Sequence, residues 1–71
     1  MFGRCFKVGP CRGDPDSALY FVAESDHTKA LRILRAEMPK DGLCFDNRGL
    51  VTPDLIDALD LRPGELHRAW P

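Results

Sequence analysis

Residues 18–23 read Ala-Leu-Tyr-Phe-Val-Ala, an unbroken apolar run inside a chain of 71 residues. Leaving large apolar side chains in water forfeits about 1.5–3 kcal/mol apiece, so this run has to be covered. Its aromatic and β-branched content suits a pleated backbone, and continuous rather than alternating hydrophobicity is the mark of a strand with neighbours on both faces. A central strand is therefore expected here, and everything else must be arranged to cover it.

The segment before it alternates. Phe2, Phe6 and Val8 share one strand face, with Arg4 the exception, while Gly3, Cys5 and Lys7 take the other. Gly9-Pro10 closes this strand, and Arg12-Gly13-Asp14-Pro15-Asp16-Ser17 is a dense cluster of turn formers. The two strands together read as a hairpin with a long loop.

A helix follows. Ser25 or Asp26 is placed to accept a hydrogen bond from a free N–H of the first turn. Ala30, Leu31, Leu34 and Met38, flanked by Ile33, form an apolar stripe, and Lys29, Arg32 and Arg35 stand opposite at intervals of three. Pro39 and Asp41-Gly42 end the helix. Beyond it, Leu43-Cys44-Phe45 is a short strand candidate, and Asn47-Arg48-Gly49 offers a tight turn back into Leu50-Val51. Thr52-Pro53 is a helix start, with Thr as cap and Pro in the first position, where no N–H is needed. Leu55, Ile56 and Leu59 make its inner face and Asp54, Asp57 and Asp60 its outer one. After the break at Arg62-Pro63-Gly64, residues 65–70 read as one or two last helical turns.

The expected fold is thus α+β, in one small domain spanning residues 1–71: a sheet of three or four strands (the N-terminal hairpin plus a short strand or hairpin) with one amphipathic helix on one face and one or two short C-terminal helices. A chain of this length buries only about 60% of its unfolded surface, so its stability should be modest.

Charge narrows the function. Ten basic and eleven acidic residues give a net charge of −1, without the basic excess that phosphate binding exploits. The signs are nevertheless segregated. Residues 1–13 and 27–40 are basic on balance, whereas 14–26 and 41–60 are acidic. Opposed patches on a near-neutral molecule are the expected result. No leader pattern or membrane span is read in the chain, and Cys5, Cys11 and Cys44 make an odd set without the even framework of a secreted scaffold. Free thiols and a cytoplasmic location are expected.

The chemistry-bearing residues are not spaced for chemistry. Cys5 and Cys11 lie six apart, Cys44 is distant, and His27 and His67 are isolated, so no pair has zinc-knuckle spacing and neither a metal nor another cofactor is expected. A Cys5–Cys11 disulfide is the alternative for that pair. Cys44 with a histidine is the one nucleophile pairing to name, and its segment reads as a buried strand in which a thiol is inert. The chain is not expected to be an enzyme.

What remains is binding. The basic stripe Lys29, Arg32 and Arg35 and the acidic stripe Asp54, Asp57 and Asp60 have identical spacing. They would pair within the monomer, between two copies, or with a charged partner, unless both are merely solvated. Trp70 either closes the core or anchors a contact. The leading expectation is a non-enzymatic protein-interaction module, an adaptor, regulator or inhibitor of the kind phages and mobile elements carry. Lys29, Arg32, Arg35, Asp54, Asp57 and Trp70 are its candidate partner-binding residues, a protein its partner and a homodimer an option. The alternative is a nucleic-acid-binding regulator using the basic stripe, for which residues 52–70 superficially resemble a helix-turn-helix.

Overall fold

The structure is a computed structural model that describes residues 1–11, 17–38 and 42–70, the side chain of Trp70 excepted. The turn-forming cluster at residues 12–16 and the helix-ending residues Pro39 and Asp41 lie outside the described residues. The elements in chain order are β1 (Gly3–Pro10), β2 (Ala18–Val22), α1 (His27–Glu37), β3 (Leu43–Val51), α2 (Pro53–Ala58) and β4 (Leu66–Trp70). The four strands form one antiparallel sheet in the order β3-β1-β2-β4. The α+β expectation holds, and the apolar run is an inner strand.

Strand alternation sorts the side chains onto two faces. Phe6 pairs with Tyr20 and Val8 with Ala18 on one face, whereas Cys5 pairs with Phe21 and Lys7 with Leu19 on the other. The first face carries α1. Phe6, Val8 and Val22 pack there with Ala30 and Leu34, and Phe6, Val22, Ala30 and Leu34 are wholly inaccessible to solvent. Leu31, Ile33 and Met38 close around them, so the helix presents the stripe expected from its sequence. Of the two cap candidates it is Asp26 that acts, its carboxylate accepting the Lys29 N–H at 3.0 Å. Arg4, the polar exception on this strand face, turns its Nε–H to the Ser25 carbonyl oxygen at 2.8 Å, tying β1 to the start of the helix.

The second face carries α2, but only at one end. Ile56 packs with Ala23 and Val51, and Cys5, Phe21 and Leu61 surround them. The approach is close enough to require glycine at position 3. A Cβ there would overlap the Val22 carbonyl oxygen and stand 2.7 Å from Ile56 Cδ1. Leu55, expected on the inner face of α2, is instead 36% exposed. The helix ends before Leu59, and Ile56 is its one buried residue, so the inner face is a single anchor rather than a stripe. Nor does Thr52 cap α2 with its side chain; its carbonyl oxygen accepts the Leu55 and Ile56 N–H groups at 3.1 and 3.2 Å, and Pro53 fills the first turn.

Two expectations about the C-terminal half are corrected. Leu43 to Val51 is not a strand and a turn but a single nine-residue strand. The Asn-Arg-Gly turn chemistry is present, with the Gly49 N–H donating to Asn47 Oδ1 at 2.9 Å and Gly49 at φ +112°. It produces a bulge rather than a reversal, because β1 pairs with the strand on both sides of it: Cys5 faces Gly49 and the next residue, Phe6, faces Asn47. Residues 66–70 are not helical but form β4, paired with β2 through Val22–Leu66, Phe21–His67 and Tyr20–Arg68. An inner strand needs a partner on each edge, and the chain after α2 returns to supply it. The clasp is completed by the Ala23 N–H donating to the Glu65 carbonyl at 2.8 Å and the Gly64 N–H to the Ala23 carbonyl at 3.0 Å. The helix-turn-helix resemblance disappears with this strand.

The cysteines are also corrected. Cys11 and Cys44, rather than Cys5 and Cys11, form a disulfide, with their Cα atoms 5.0 Å apart, and only Cys5 is free. The odd count resolves into one bridge and one thiol, so it carries no argument for a reducing compartment. Cys44 is exposed rather than buried. The bridge ties the far end of β1 to the beginning of β3, next to the hydrogen bond from the Cys11 N–H to the Gly42 carbonyl at 3.0 Å. With a sequence separation of 33, it encloses β2 and α1, and a loop of that size is worth about 3–4 kcal/mol in the chain-entropy account. No helix among the described residues is long and apolar enough to cross a membrane.

Candidate functional site

Because α1 buries Ala30 and Leu34, its outer surface is fixed by the 100° step of the helix. Lys29, Arg32 and Arg35 are all exposed. The three do not act as one line, however. Arg32 and Arg35 border a groove of about 320 Å³ together with His27, Thr28 and Leu31, and Lys29 stands to the side of it. His27, Leu31 and Arg35 follow one another at intervals of four, as do Thr28 and Arg32, which is why they share a flank of the helix. That spacing is visible in the sequence, but counting only cations passed over His27, Thr28 and Leu31.

This flank overhangs β3. The Arg35 guanidinium carbon sits 5.6 Å from the centre of the Phe45 ring, a cation–π contact that restrains the head group. His27 lies 5.6 Å from the Phe6 ring, which places it over the buried edge of the core. The groove thus has half-buried Leu31 in its wall and two guanidinium groups at its rim. The flank on the other side of α1 has the opposite sign, since Glu37 and Glu65 border a second groove with Gly64 and Leu66. A helix with cations on one shoulder and carboxylates on the other has a direction as well as a charge.

The acidic stripe is elsewhere. Asp54, Asp57 and Asp60 are exposed, but they belong to the α2 region, and α2 packs on the opposite face of the sheet from α1. Asp60 is outside the helix, in the left-handed region at φ 55°, where the Leu61 N–H donates to the Ile56 carbonyl at 3.1 Å. The sheet separates the two stripes, so pairing inside the monomer is ruled out by layer geometry. Among the described residues the ion pair present is Arg48–Asp46 at 3.5 Å on β3, with both partners largely solvated. Trp70 falls on β4 opposite Leu19, and its side chain lies outside the described residues.

A third depression, of about 230 Å³, borders the disulfide and is lined by Lys7, Ser17, Asp46 and both half-cystines. It occupies the part of the second sheet face that α2 leaves open. Burial against the α2 cluster pushes the pKa of the free Cys5 thiol up, against a smaller opposing effect of Arg48, so Cys5 holds its proton. Comparison with known proteins finds no matching family model, no similar curated protein and no similar solved structure.

Proposed function

We propose that this domain is a non-enzymatic interaction module that binds an acidic surface of a protein partner through the exposed flank of α1. The observation that carries the reading is the groove bordered by Arg32 and Arg35. Two cations stand at the rim of a partly apolar cleft, one of them held by Phe45, and no carboxylate of the described residues pairs with either. Solvated charge alone needs no groove, whereas a protein partner gains from an apolar contact ringed by charge. Lys29 adds to the field that steers the partner in, while Asp54 and Asp57 face away and serve either a second contact or solubility. The reading as an adaptor, regulator or inhibitor rather than a catalyst rests on the sequence, where no nucleophile, base and orienting group are spaced to meet.

The test is a triple charge reversal, Lys29→Glu, Arg32→Glu and Arg35→Glu, followed by a thermal melt and a pull-down from cells that express the chain. The expected result is a folded protein, because exposed substitutions change stability by about 0.5 kcal/mol or less each, that no longer retains its partner. Loss of retention on DNA resin at physiological salt, with protein partners unaffected, would favour the nucleic-acid reading instead. A reversed protein that keeps all its partners would leave the stripe as a solvated face.

A further inference from the structure

We propose that the Cys11–Cys44 bridge is a thiol-exchange site, opened on the folded protein by a dithiol reductant and closed again by a disulfide of the same class. Exchange begins with a thiolate attacking one sulfur along the S–S axis, so the first requirement is access. Both half-cystines are exposed residues and both border the depression on the part of the sheet that α2 does not cover. The second requirement is a stabilised leaving thiolate, since a sulfur that departs more easily is displaced faster. Cys44 pairs with Gly9 across the β1–β3 ladder, and Lys7 lies on the same strand face two residues away. That diagonal position is within reach of a long side chain, and Lys7 lines the same depression. Its ammonium group favours the thiolate that appears on Cys44 when the attack falls on Cys11. It does so against the opposing Asp46 carboxylate, which lies directly across from Lys7 in the same depression and is itself paired with Arg48 at 3.5 Å.

The step balances with the reductant supplied from outside. One thiolate of the dithiol forms a mixed disulfide with Cys11, the S–S bond to Cys44 breaks, and the Cys44 thiolate takes up a proton. The second thiol of the reductant then displaces Cys11 and leaves as the cyclic or intramolecular disulfide. Two electrons and two protons pass to the domain, which gains two thiols. Cys5 takes no part. It lies six residues from Cys11 along an extended strand, roughly 20 Å away, and burial raises its pKa. The consequence of opening is mechanical. The bridge is the covalent tie across the part of the sheet that α2 does not cover. Without it β3 is held at that end by its ladder with β1 and by the packing of Leu43 and Phe45 on the α1 face.

The experiment treats the native chain with dithiothreitol, without denaturant, and follows mass, alkylation and melting together. The oxidised protein should be alkylated once at most, slowly, at Cys5, and the reduced protein should gain about 2 Da and expose two further reactive thiols. Its melting temperature should fall by on the order of 10–25 °C. Reduction should be first order in dithiothreitol thiolate and slowed several-fold by Lys7→Gln, with Lys7→Arg restoring the rate. The proposal is overturned if reduction occurs only at the rate of global unfolding, independent of reductant concentration. It is equally overturned if the reduced protein melts within about 2 °C of the oxidised one. The double variant Cys11→Ser, Cys44→Ser should melt like the reduced protein and ignore dithiothreitol. Should it fail to fold, the kinetics on the wild-type chain decide alone.

Discussion

The two faces of the sheet are held by different means. On the α1 face, five buried residues from β1, β2 and the helix interlock, and four of them have no accessible surface. On the other face, two buried residues gather around Ile56 at one end, and at the other end a disulfide stands beside an open depression. The chain has apolar volume enough for one well-packed layer. Where that volume runs out, a covalent cross-link substitutes for packing, as is usual in domains of this size. The comparison also separates two features, since the packed face displays the groove bordered by Arg32 and Arg35 on a rigid support while the thinly covered face carries the exposed disulfide.

The most damaging way to break this asymmetry is to hollow out the packed layer. Leu34→Ala should cost roughly 2–5 kcal/mol, comparable to the whole stability of about 5 kcal/mol expected for such a domain. Ile56→Ala removes a similar volume from the thinner layer, whose neighbours can relax into the space, and should fall at the lower end of the same range. Urea titrations of both, with the disulfide intact, measure the difference; equal losses would mean that the two layers are equally tight.

A smaller effect is expected from Gly3→Ala. The added methyl group meets a backbone carbonyl, which cannot swing aside, as well as the flexible tip of Ile56. Overpacking of this kind costs about 1–3 kcal/mol, and it should loosen α2 while leaving the α1 cluster intact. Amide hydrogen exchange resolves the two, with protection falling in the N–H groups after Pro53 and persisting between Ala30 and Leu34.

The smallest effect concerns pH. The hydrogen bond from the Lys29 N–H holds the Asp26 carboxyl below its usual pKa, so folding favours its charged form. A group depressed in this way stabilises the fold above its unfolded pKa, and the contribution fades as the pH falls through the lower folded value. Asp26→Ala should therefore lower the melting temperature by about 4–8 °C at pH 7, and by progressively less below about pH 4. Parallel melts of variant and wild type from pH 7 to pH 2 check the convergence, and curves that stay equally separated throughout would deny Asp26 the capping role.

How far the fold is legible from the residues follows the same division. The hairpin, the α1 stripe and its cap are local patterns, and each is present where periodicity and turn chemistry place it. The C-terminal half depends on distant partners. Asn47-Arg48-Gly49 carries the signature of a turn, and only the presence of β1 along the whole length of β3 makes it a bulge. Leu66-His67-Arg68-Ala69-Trp70 has no strong preference of its own and takes its form from the free edge of β2. The apolar run at residues 18–23 does imply a second neighbour for that strand, which was the available clue. The pairing of Cys11 with Cys44 lies beyond sequence spacing, because it follows from the antiparallel register of β1 and β3. Of the candidate site, exposure of the basic residues was readable from the helix period, whereas the share of His27, Thr28 and Leu31 in the groove was missed by counting cations alone. The Phe45 contact that restrains Arg35 comes from another element.

The late arrival of β4 beside β2 has a consequence for how the molecule is made. β1, β2 and α1 are contiguous and can assemble as soon as they leave the ribosome, yet the most hydrophobic strand then has one edge without a partner. Its hydrogen-bonding groups remain available to any extended chain until Leu66 to Trp70 have been synthesised and folded back. Association at that stage competes with the return of β4, and slowing translation across residues 24–65 would lengthen the interval at risk.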